Sequence, residues 1–193
     1  DPPPGDARPR DPDATGGFYQ PIIVRSAAGD AVHLQRLVCN PRSAPVDVAR
    51  EFFAMYRTNQ NPAAPTLVID ADIGNDRDAG RDAPAAEGDA APIAADTRVA
   101  LSVAWRPEDA EAYVWIDPVT ATLQTRRESM LVSWFATAGS FARDRSEVAE
   151  GDASTGATNT WQAPLEPGPV VFWAVLRDSR GGTAFVERTI SVE

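Results

Sequence analysis

Met130-Leu-Val-Ser-Trp-Phe-Ala-Thr-Ala-Gly139, then Asn159-Thr-Trp-Gln-Ala-Pro164, then Val170-Val-Phe-Trp-Ala-Val-Leu176 are the stretches that decide how this chain folds. Successive side chains of an extended strand point to opposite faces. Met130, Val132 and Trp134 therefore share one face, and Leu131, Ser133 and Phe135 the other. The same alternation sets Val170, Phe172, Ala174 and Leu176 against Val171, Trp173 and Val175. Pro164 lacks an N–H for the ladder and ends the strand that carries Trp161. Pro167-Gly-Pro169 turns the chain into the next strand, and Asp178-Ser-Arg-Gly-Gly182 reads as a hairpin loop with glycine supplying positive φ. The last strand then places Val186, Ile190 and Val192 on one side and Glu187, Thr189 and Ser191 on the other.

Upstream, Thr97–Trp105 is the cleanest strand, with Val99, Leu101, Val103 and Trp105 on one face. Thr66–Asp70 forms a first strand, and residues 71–96 are an Asp/Ala/Gly-rich low-complexity loop. Glu111–Ile116 and Thr122–Arg126, joined by a turn at Asp117–Thr120, form a hairpin inserted at 106–128. The Asn/Pro run 59–65 is a breaker and marks a boundary. Before it, Phe18–Arg25 and His33–Cys39 are the arms of a hairpin turning at Ala28–Asp30. Pro21 makes the first arm an edge strand or one that starts late. Ser43–Tyr56 reads as a short helix with Ser43 as cap, Pro45 in the first turn, and Val48, Phe52, Met55 and Tyr56 on its buried face. Residues 1–17 hold five prolines and few apolar side chains, so they form an extended tether. The expected layout is a tether (1–17), a small subdomain (18–59) and a sandwich (60–193).

The C-terminal order resembles bacterial immunoglobulin-like and polycystic-kidney-disease-type surface repeats. The resemblance rests on the tryptophan strand ending in a small-residue turn (Trp134 to Gly139), the Thr160–Pro164 stretch, and the apolar strand ending in Asp178 and a Gly-Gly turn. It covers about residues 60–193 and is best at 130–193. It implies a mainly β, immunoglobulin-like two-sheet sandwich in a bacterial envelope or surface protein. The Pro/Asp-rich tether is similar to the region that follows the lipidated cysteine of bacterial lipoproteins, so a lipid anchor upstream of Asp1 is an expectation.

Composition narrows the function. The formal net charge is −10, which repels phosphate backbones and makes nucleic acid a poor partner. No long apolar run predicts a membrane span. One cysteine, Cys39, permits no internal disulfide, and His33 is the only histidine. Both read as ordinary strand residues. A Cys39–His33 pair would lie about 20 Å apart along a strand, too far for a thiol–base couple. No serine sits in a Gly-x-Ser-x-Gly elbow. The chain is expected not to be an enzyme.

Two ligand readings arise from the residues. Asp70, Asp72, Asp76 and Asp78 with Gly74 and Gly80 form a candidate calcium loop, since hard cations want clustered carboxylates. The spacing departs from the EF-hand, and the Asp/Ala/Gly bias explains the aspartates without a metal, so no cofactor is assigned. Trp115 on the inserted hairpin is the candidate for stacking on a sugar ring.

The larger expectation concerns strands 130–136 and 170–176. Both are apolar on both sides, so if they are neighbours in one sheet its outer face is greasy at Leu131, Phe135, Val171, Trp173 and Val175. Exposing such side chains forfeits roughly 1.5–3 kcal/mol each. Residues 18–58 or 106–128, or a protein partner or array neighbour in the envelope, are expected to cover it. The chain thus reads as an extracytoplasmic interaction or scaffolding protein, with a carbohydrate- or calcium-binding surface module as the alternative.

Overall fold

The computed structural model describes residues 18–27, 29–37, 44–70, 92–117 and 119–193. The elements in chain order are β1 (Phe18–Ser26), β2 (Gly29–Leu37), α1 (Val46–Met55), β3 (Thr66–Asp70), β4 (Arg98–Ala104), β5 (Ala112–Ile116), β6 (Leu123–Arg127), β7 (Met130–Ala136), β8 (Ser140–Phe141), β9 (Arg145–Val148), β10 (Gly156–Gln162), β11 (Gly168–Asp178) and β12 (Thr183–Val192). They fall into two compact units: residues Asp1–Asn59 with Glu111–Arg127, and residues Gln60–Ala110 with Glu128–Glu193. The β5–β6 hairpin, which interrupts the sandwich in sequence, groups with the first 59 residues.

The second unit is a β-sandwich of two four-stranded antiparallel sheets, ordered β3-β4-β10-β8 and β12-β11-β7-β9. Without the two-residue β8, the sandwich strands run 1-2-5 in one sheet and 7-6-3-4 in the other, the immunoglobulin-like order. Alternation decides what goes inside. Val99, Leu101 and Val103 of β4, Met130, Val132 and Trp134 of β7, and Val170, Phe172, Ala174 and Leu176 of β11 are all buried in one core. Trp161 fills its centre, with Phe172 edge-on at 4.7 Å between ring centroids. Phe141 links Phe172 to Trp134, at 6.2 and 6.3 Å. Two of the three buried tryptophans find acceptors for their indole nitrogens: Trp134 Nε1 donates to Ser146 Oγ at 3.1 Å and Trp161 Nε1 to the Ala138 carbonyl at 3.1 Å, while Trp105 Nε1 has no hydrogen-bond partner. Ser146 Oγ in turn donates to the Thr158 carbonyl across the sheets, so Trp134 and Trp161 are satisfied as well as buried.

Two tight turns shape the sandwich. Gly139 takes φ +79° where its Cα faces the Trp161 indole, with no room for a side chain. In the β11–β12 loop, Asp178 Oδ1 accepts the backbone N–H groups of Arg180 and Gly182, and Gly181 adopts φ +100°. Arg180 then lies buried with its Nη1 3.5 Å from Glu128 Oε1, which is fully buried. Asp109 plays a similar part after β4. Its carboxylate accepts the backbone N–H of Ala63 and of Arg106 and the Arg106 guanidinium at 2.8 Å. These donors, the Arg106 side chain foremost, hold its carboxyl below the ordinary value of 3.8.

Three expectations about the strands change. The segment 71–96 is not wholly loop: Ile93 is buried and bridges Val192 in parallel. Strands β8 and β9 lie in 140–148, where no strand was expected. The expected β2 arm shifts to Gly29–Leu37, because Ser26 pairs directly with Gly29. Cys39 and Ser43 lie outside the described residues.

In the first unit, α1 starts after Pro45, which occupies the cap position itself without a side-chain cap bond. Phe52 is fully buried against Val114 and Ile116, with Val48, Tyr56 and Leu123 packed around them. Met55 is 47% exposed and does not belong to that face. Pro21 sits in the two-stranded β1–β2 sheet, where every strand is an edge and a missing N–H costs no ladder bond.

Candidate functional site

The two sheets of the sandwich differ on their outer sides. The first carries Arg98, Ala100 and Ser102 on β4 opposite Gln162, Thr160 and Thr158 on β10. That is the polar, small-residue surface expected of a sheet facing water. The second carries large apolar groups. In cross-strand register, Phe185, Val175 and Ser133 form one row, and Glu187, Trp173 and Phe135 the next. Phe135 is 50% and Phe185 60% exposed. Leu131, Val171, Trp173 and Val175 are half-buried. The candidate residues Leu131, Phe135, Val171, Trp173 and Val175 thus lie together on one face, because β7 and β11 pair directly.

Polar groups surround this apolar centre. Trp173 Nε1 donates to Glu187 Oε2 at 2.6 Å, which fixes the indole orientation and keeps the carboxylate at the rim. Arg145 and Glu147 of β9 pair with Ser133 and Leu131 of β7 at the opposite edge. Arg177 lies between Leu131 and Thr183. A shallow depression at that end is lined by Leu131, Arg145, Glu147 and Arg177. Ser133 faces outward yet is only 3% exposed, and its hydroxyl has no hydrogen-bond partner. An apolar centre inside a polar rim, with an aromatic anchor, is the anatomy of a protein-binding surface.

Phe185, Glu187, Arg145 and Arg177 are additions to the residues singled out from sequence. Phe185 was legible: it shares parity with Glu187, Thr189 and Ser191 on the outward side of β12, the one large apolar group in that polar series. Arg145 was not, because β9 itself was not foreseen.

The β12 edge of this sheet is capped at both ends. Asn61 Oδ1 accepts the Thr183 N–H at 3.0 Å. Ile93 donates to the Ser191 carbonyl and accepts the Glu193 N–H, both at 2.9 Å. Contacts of this kind hinder strand addition along β12.

The remaining candidates offer less. Asp70 ends β3 and is exposed, while Asp72, Asp76 and Asp78 lie outside the described residues. Among the described residues no three His, Cys, Asp or Glu side chains are grouped to hold a metal. Trp115 is half-buried, and the Arg126 guanidinium sits 4.7 Å from its ring centroid. That cation occupies a face a sugar would need. Gln124 donates to Asp117 Oδ2 beside it, and the Val119 and Thr120 N–H groups hold the Asp117 carboxyl below its ordinary range. His33 is exposed on β2. Among the described residues no helix is long and apolar enough to cross a membrane. Comparison with protein-family models, curated proteins and solved structures gives no match.

Proposed function

We propose that this protein is a non-enzymatic interaction module that binds a protein partner through the outer face of the β12-β11-β7-β9 sheet. The observation that carries the reading is the contrast between the two outer faces: small and polar on one sheet, aromatic and aliphatic on the other. Leaving Phe135 and Phe185 half in water gives up about 1 kcal/mol each relative to full burial. A partner that buries them recovers that energy.

The resemblance of residues 130–193 to bacterial immunoglobulin-like surface repeats, and the Pro/Asp-rich stretch 1–17, support a place in an extracytoplasmic envelope or surface assembly, with a lipid anchor upstream of Asp1 as the means of attachment. The test is capture from the native envelope with the wild-type protein and with Phe135→Asp, followed by mass spectrometry. A partner retained by the wild type and lost by the variant is expected. Identical captured sets for both proteins would remove the face as the binding surface.

A further inference from the structure

We infer that the occupant of this face is a second copy of the same chain, packed face to face about a two-fold axis parallel to the strands. The inference rests on the face being the binding surface proposed above and goes further by naming what covers it.

Charge is the first argument. The chain carries −10, so two copies repel at most orientations. The outer face is locally neutral: Glu147 and Glu187 are matched by Arg145 and Arg177. Two copies can meet there without like-charge cost.

Register is the second. Glu187 lies on edge strand β12 and Arg145 on edge strand β9, with β11 and β7 between them. A two-fold axis along the strands, passing between β11 and β7, lays the β12 edge of one copy over the β9 edge of the other. Glu187 of each copy then approaches Arg145 of the second copy, one cross-strand row away. The same operation places Trp173 over Phe135 of the second copy, since these two are direct cross-strand partners in the central strands. Aromatic pairs of this kind are common interface anchors. A self-complementary patch is what a closed two-fold interface requires.

The test is oligomeric state by sedimentation and light scattering up to about 100 μM, where even a micromolar interface populates the dimer. Four variants are compared: Phe135→Asp, Glu187→Arg, Arg145→Glu, and Glu187→Arg with Arg145→Glu. All three sites are exposed, so circular dichroism should stay native and melting should fall by no more than about 5 °C, the share that the half-covered Phe135 ring and the Glu187–Trp173 hydrogen bond hold in the monomer. The wild type is expected to dimerise. Phe135→Asp should raise the dissociation constant about thirtyfold or more, as for an interface anchor. Each single charge reversal should raise it about tenfold, and the double reversal should restore it to within about threefold. Only a partner carrying the same two residues gives that rescue. A monomer at the highest concentration overturns the inference, as does a dimer indifferent to Phe135→Asp or a double reversal no better than the singles. If the protein is monomeric but Phe135→Asp still loses a captured envelope protein, self-association falls while the face remains the binding surface.

Discussion

Replacing Gly139 with alanine tests whether the Trp161-centred core is as tightly built as its geometry implies. An added Cβ would sit 2.5 Å from the Gln162 carbonyl oxygen and 2.5 Å from Cε2 of the Trp161 indole. The carbonyl belongs to the end of β10, and Trp161 is fully buried with its N–H committed to Ala138. Neither neighbour can retreat cheaply. The backbone adds a second cost, because φ is +79°. A left-handed conformation costs an L-residue about 1–2 kcal/mol, and forced overpacking about 1–3, giving a loss of about 2–5 kcal/mol. For a domain of this size that lowers the melting temperature by roughly 10–20 °C. The assay is thermal unfolding followed by near-ultraviolet circular dichroism, which reports the packed tryptophans. Gly151→Ala is the control: an alanine Cβ there meets nothing within 4 Å, and stability should stay within about 0.5 kcal/mol of wild type. If Gly139→Ala melted within about 2 °C of the wild type, the turn would have slack and the close packing of Trp161 would not be what holds the two sheets together.

Other outcomes follow from the same geometry. Asp109→Asn should destabilise the sandwich by about 1–3 kcal/mol at neutral pH, through loss of charge-assisted bonds to Ala63 and Arg106. Because its folded pKa is depressed, the Asp109 contribution is present above 3.8 and fades as pH falls through the lower folded value. Acid titration of urea stability should therefore converge for wild type and variant at low pH; a constant gap would refute the assignment. Arg180→Met removes a buried cation beside the fully buried Glu128 and should cost about 3–5 kcal/mol, with much of the loss recovered by adding Glu128→Leu. Chemical denaturation of the single and double variants reads this directly. Phe135→Ser with Phe185→Ser should lower the unfolding free energy by no more than about 2 kcal/mol, since each ring is only about half buried. A larger loss would mean the two rings are structural.

The alternation of apolar residues in 97–105, 130–136, 170–176 and 183–192 was enough to place the core side chains of β4, β7, β11 and β12 on their correct face, but not Leu67, Ile93, Ala110, Val148, Trp161 or Ala163. Parity is a property of the local backbone, so it can be read without knowing a strand's neighbours. Arg145–Val148 shows the limit. Its single valine carries no pattern, and the segment is a strand because β7 offers it a ladder. Ile93 was hidden in a low-complexity run because its burial depends on meeting Val192, nearly a hundred residues away in sequence. The β5–β6 hairpin was legible as a hairpin, but not the core it joins, because Val114 and Ile116 would suit any apolar surface. The sequence alone therefore determined which side chains share a face and that two strands were apolar on both sides. Only the tertiary structure decided that those strands are neighbours and that Phe135, Trp173 and Phe185 fall together on the outward side. Strand pairing is chosen by contacts distant along the chain, and no local pattern encodes them.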